Sequence, residues 1–211
     1  LTSSSATSDG YKGKYLHFKF SNMINKLKPE GRLQISTLLI ILCCICFSLS
    51  VFRYFYSETK NFLFLNWNLF LAFVPWVCSS LLIMNKRLQK SKATIVAMLF
   101  IWLLFFPNAP YILTDLFHLR LRTNMPIWFD LVLIISYAWT GLLLGYISLF
   151  DIEKVLGKYM SQTKITILSV GMLFLGSFGI YLGRFLRWNS WDIISEPMEL
   201  FYDIGQRFTN P

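Results

Sequence analysis

The chain has 211 residues, of which 55% are hydrophobic, 18% aromatic and only 15% charged, with mean hydropathy +0.51. That balance excludes an ordinary soluble domain, where about a quarter of residues carry charge. The net charge of +9 would suit a nucleic-acid partner, but the bases lie beside apolar runs, where they orient membrane proteins, and no soluble module interleaves bases with aromatics; nucleic acid is excluded.

In chain order, Leu1–Gly10 is rich in Ser and Thr and lacks a starting Met, and residues 1–14 read as a processed, mobile tail. In residues 15–32, Phe20, Met23, Ile24 and Leu27 recur at helical spacing with Lys19, Lys26 and Lys28 between them. This suits a basic amphipathic segment on an anionic membrane surface, or an ordinary basic flank. Five charge-free runs follow: Leu33–Phe52, Asn61–Asn85, Ala93–Thr114, Leu131–Phe150 and Ile165–Gly183. Each is long enough to cross a hydrocarbon core about 30 Å thick. The fold class expected is all-α, a polytopic transmembrane bundle over residues 33–192. Span three should break at Pro107 and Pro110, which withhold two backbone donors, with the Asn108 amide serving the freed groups and a polar cavity alongside. Thr114 could cap a new turn. In residues 193–211, Pro197 opens a helix with Leu200, Phe201, Ile204 and Phe208 on one side, an interfacial helix.

Cys43, Cys44, Cys46 and Cys78 fall within spans without metal-ligand spacing and read as small apolar residues. Gly141 and Gly145, with Gly176, Gly179 and Gly183, form small-residue stripes expected to pack spans four and five together. Counting bases on alternate sides of the five spans gives thirteen on the side of the N-terminus and seven on the other. The positive-inside rule then places the N-terminus in the cytoplasm, stroma or matrix.

Spans alternate in direction, so the start of span two, the end of span three, the start of span four and the end of span five share one face. Most distinctive polar residues converge there. Asp115 and His118, three apart, should share a side of one turn, and Arg184 and Arg187 likewise at the end of span five. Several uses of this face stand open. One is a structural network of Asn68, Asn108, Thr114, Asp130, Asn189 and Asp192 with the bases. Another is an anion or lipid-phosphate cradle using Arg184, Arg187, Arg120 and Arg122. A third is acid–base catalysis by His118 oriented by Asp115, the two candidate catalytic residues. No metal is assigned. Asp115 and His118 are the nearest to a ligand pair, and the second histidine, His17, lies on the other side. No cofactor is identified.

The runs Phe106–Leu119, Pro126–Asp130 and Gly179–Asp192 resemble the signature blocks of an uncharacterised bacterial multi-pass membrane family catalogued as domain of unknown function 1361. The resemblance covers roughly Asn66 to Pro211. It implies an integral membrane protein and brings no established activity. It also implies one more apolar helix after the residues matching Asn210-Pro211. Three functions remain: a lipid or anion site on the non-cytoplasmic face; a non-catalytic subunit of a larger respiratory or photosynthetic complex; and a membrane enzyme or transporter using Asp115 and His118. Membrane lipids, and other membrane subunits in the second case, are the partners expected. The location is the bacterial inner membrane, or a thylakoid or organellar membrane.

Overall fold

A computed structural model describes residues 29–120, 124–185, 188 and 195–209. The expected tail and the amphipathic segment up to residue 28 lie outside them. The chain divides into two compact units, residues 1–41 and 42–211, and the packing below is that of the second.

Helix α1 runs Pro29–Ser57, α2 Phe64–Met84 and α3 Lys92–Phe105. A short α4, Asn108–Tyr111, leads into a 3-10 helix, Ile112–His118. Then come α5, Ile127–Leu156, α6, Gln162–Phe185, and α7, Pro197–Thr209. Among the described residues, five stretches are long and apolar enough to cross a membrane: Gly31–Ser57, Phe64–Met84, Lys92–His118, Ile127–Leu156 and Gln162–Arg184. No strand occurs among the described residues. The all-α bundle with five spans is thus borne out. Helix α1 continues five residues beyond its charge-free run, because Tyr54, Phe55 and Tyr56 keep the sequence apolar past Arg53, and it carries that arginine inside the helix.

Helix α5, with 30 residues, is central; α2, α4 and the 3-10 segment all pack on it. Its inner face alternates bulk with small residues, including Ala138, Gly141, Gly145 and Ser148, which lets neighbours approach. Toward the α5–α6 turn, Trp102, Phe106, Leu149, Ile152 and Val155 form an apolar core. Trp102 stacks on Phe106 with centroids 4.5 Å apart and donates its indole N–H to Ser148 Oγ at 3.0 Å, so its polar atom is satisfied.

The two prolines of span three change the type of helix without unwinding it. Regular α-helix stops at Phe105, yet Phe106, Pro107, Tyr111 and Ile112 all keep right-handed helical angles. Pro110 cannot donate to the Phe106 carbonyl, which accepts from Ala109 N instead at 3.1 Å. Asn108 Nδ2 donates to the Phe105 carbonyl at 3.0 Å, as its position led us to expect. Thr114 caps nothing: its hydroxyl donates to the Tyr111 carbonyl at 2.7 Å, a bond that stabilises the tightened turn from within.

The glycine stripes also differ from expectation. They do not face each other across spans four and five. Both face the proline segment of span three. A Cβ on Gly176 would lie 3.0 Å from the Phe106 ring, one on Gly179 2.7 Å from Pro107 Cγ, and one on Gly183 3.2 Å from Tyr111. From the other side, a Cβ on Gly145 would meet Ala109 Cβ at 2.8 Å, and one on Gly141 the Ala109 carbonyl oxygen at 2.8 Å. The kinked segment is therefore clamped between two glycine tracks. Of the cysteines, Cys46 and Cys78 are buried and Cys44 is exposed.

Candidate functional site

The shared face carries two separate polar clusters. The first centres on Arg53. Its Nε donates to Asp130 Oδ1 at 2.6 Å and Nη2 donates to Asp130 Oδ2 at 3.1 Å, a forked contact. Nη1 donates to Thr59 Oγ1 at 3.1 Å and to the Asn61 carbonyl at 3.0 Å, and the guanidinium sits 4.8 Å from the centroid of the Phe62 ring. Both charged side chains are almost fully buried, at 2% and 1% exposure. The connection that folds over the pair bends through Glu58 and Phe62, whose φ values of 52° and 66° lie in the left-handed region that non-glycine residues seldom occupy. Every nitrogen of this buried guanidinium is engaged by the protein, which makes its role structural.

Arg53 escaped the sequence reasoning, which counted it as a boundary base. The signal was its setting between Phe52 and Tyr54–Tyr56, which places it inside a helix. Of the bases on this face, it is Arg53 that holds Asp130. Beside this pair, Tyr137 donates to Asn66 Oδ1 at 2.6 Å and Asn66 Nδ2 donates to Ser50 Oγ at 2.9 Å, a buried link between α1, α2 and α5.

The second cluster joins α2, the 3-10 helix and α6. Asp115 is buried, and its Oδ2 accepts from Asn68 Nδ2 at 2.8 Å. Its Oδ1 lies 3.9 Å from Arg184 Nη1, a charge contact too long for a hydrogen bond. The same Nη1 donates to His118 Nε2 at 3.0 Å. A guanidinium has no acceptor, so His118 Nε2 is the acceptor in this contact. A 3-10 helix eclipses residues three apart, so Ile112, Asp115 and His118 form one row that starts buried and ends exposed. That row aligns carboxylate and ring beside one arginine. Arg184 Nη1 contacts both groups, at 3.9 Å from Asp115 Oδ1 and 3.0 Å from His118 Nε2. Phe117 lies under the guanidinium at 5.4 Å and Phe64 meets His118 edge-on at 5.5 Å.

Arg184 has 17% of its side chain exposed, and among the described residues its Nε and Nη2 have no hydrogen-bond partner. Arg120 is exposed just beyond the 3-10 helix. Arg122, Arg187, Asn189 and Asp192 lie outside the described residues. Asn108 and Thr114 both donate to their own backbone, to the Phe105 and Tyr111 carbonyls. The space beside the proline segment is lined mainly by apolar groups, unlike the polar cavity expected there.

The opposite end is richer than its lysine-rich sequence suggested. Gln89 Nε2 donates to the Leu82 carbonyl at 2.6 Å, and Lys158 Nζ and Tyr159 OH donate to Gln89 Oε1 and O at 2.5 and 2.6 Å. Nearby, Ser79 donates to buried Asp151 at 3.3 Å.

A family model described as Protein of unknown function (DUF1361) matches residues 67–211. Comparison with the curated proteins and with the solved structures finds no match.

Proposed function

The chain belongs to the DUF1361 family, and on that premise we propose that this integral membrane protein binds an anionic group, a phosphate-bearing lipid headgroup, at Arg184 on its non-cytoplasmic face. The observation that carries the reading is the half-used guanidinium. Asp115 and His118 hold one of its nitrogens and fix its direction, while the rest of the fork is presented at the edge of the cluster. A forked arginine is the side chain best matched to phosphate or carboxylate oxygens. Asp115, kept in place by Asn68, balances the arginine when no ligand is bound. Arg120 adds positive charge at the same edge.

Thermal unfolding of the purified protein tests this. Anionic phospholipid at about a hundred times its dissociation constant should contribute about 2.7 kcal/mol, a rise of about 5–10 °C in Tm. Arg184→Gln should lose most of that rise, beyond any loss in lipid-free detergent from leaving buried Asp115 without its counter-charge. A variant that is destabilised without lipid yet responds to lipid as the native chain does would make the cluster a structural network and overturn the reading.

The thirteen-to-seven division of bases supports an N-terminus on the cytoplasmic or stromal side. Gly10→Cys and Asn124→Cys should then react with an impermeant thiol reagent from opposite sides of intact membranes. Labelling of both from one side would refute this orientation.

A further inference from the structure

We propose that the ligand at Arg184 is a whole phospholipid, one acyl chain of which lies in the crevice between α5 and α6; this rests on the anion-binding reading above. The crevice exists because the proline segment of span three is wedged between the two helices. Phe106 and Pro110 form its floor, Gly145 and Tyr146 line the α5 wall, and Leu173 and Ile180 line the α6 wall. Its free volume is about 120 Å³. Ser177, also on the α6 wall, donates its hydroxyl to the Leu173 carbonyl at 3.0 Å, so it offers the crevice little polarity.

The wall leads to the arginine. Leu173, Ser177, Ile180 and Arg184 are spaced four, three and four residues apart, which sets them in one row along α6. At 1.5 Å per residue the row is about 16 Å long, close to half of a hydrocarbon core about 30 Å thick. The crevice lining ends at Ile180, one helical turn before Arg184 on the same row, so an apolar slot followed by a directed cation matches a phospholipid in both order and charge. Neither a soluble anion nor a neutral lipid matches both. Apolar surface alone would not select a chain in lipid, because the surrounding tails are equally apolar. The headgroup contact supplies the selection and the crevice places the chain.

The test uses the full chain in detergent with phosphatidylglycerol that carries a photoreactive diazirine midway along one acyl chain. Irradiation should place adducts mainly on peptides spanning Leu142–Tyr146 and Leu173–Ile180. Ser177→Phe, which fills the slot from a position that contacts no other helix through its hydroxyl, should cut those adducts at least threefold. Adducts spread evenly over all lipid-facing helices would overturn the inference. So would undiminished crevice labelling in a folded Ser177→Phe. If that variant does not fold, the map on the native chain decides alone. The two readings fail separately. Crevice adducts that form equally with phosphatidylcholine keep the chain site and remove the anion preference. A preference for phosphatidylglycerol that Arg184→Gln abolishes, with adducts elsewhere, keeps the headgroup site and removes the crevice.

Discussion

Arg53→Met should lower the unfolding free energy in detergent by about 3–5 kcal/mol, because it leaves the Asp130 carboxylate buried without its counter-charge. The loss extends further, since the Asn61 carbonyl and Thr59 hydroxyl lose their donor and Phe62 loses the cation under its ring. The left-handed turn at Phe62 would then be held by less than it costs. The double variant Arg53→Met with Asp130→Leu should recover most of the stability, because apolar replacement of a buried pair is often neutral. Equilibrium unfolding of the three proteins measures both effects. A single-variant loss below about 1 kcal/mol would mean the pair is solvated and the burial is misread.

The second large effect concerns Gly141. A methyl group there would press to 2.8 Å from the Ala109 carbonyl oxygen and to 2.8 Å from Ile112 Cδ1. Ile112 can rotate, but the carbonyl belongs to backbone held by the glycine track on the other side. Gly141→Ala should therefore destabilise by about 1–3 kcal/mol, the usual cost of overpacking. Gly171→Ala supplies the contrast. Nothing lies within 4 Å of the Cβ position there, and alanine is the better helix former, so that variant should be neutral or more stable by up to about 1 kcal/mol. Equal and same-signed shifts in the two melting temperatures would refute the clamp.

The spans, their number and the face on which polar residues gather were legible from charge-free runs and parity alone, because both follow from the cost of charge in lipid. Partnerships were less legible. Asp130 could have met any base on its face, and Arg53, 77 residues away, resembled a flank because a charge-free run ends just before it. Only the continuation of helix through Tyr54–Tyr56 distinguishes an embedded arginine from a boundary one. The glycine stripes likewise declared a close approach without naming the visitor, since a missing Cβ accepts any neighbour. Asp115 and His118 lie on one row of the 3-10 helix, but three-residue spacing could not reveal that Arg184 would contact both. Arg187 and Asp192, expected in the same cluster, fall outside the described residues.

The double glycine track has a consequence for biosynthesis. Span three is made before the helices carrying Gly141, Gly145, Gly176, Gly179 and Gly183, and chains emerge from the N-terminus onward. While only three spans exist, Phe106–Tyr111 has neither glycine wall to lean on and faces lipid or the insertion machinery. The clamp can close only after α6 has arrived. A ribosome stalled before Gly176 would thus leave a half-seated segment that quality-control proteases can recognise, whereas one stalled after Gly183 would not.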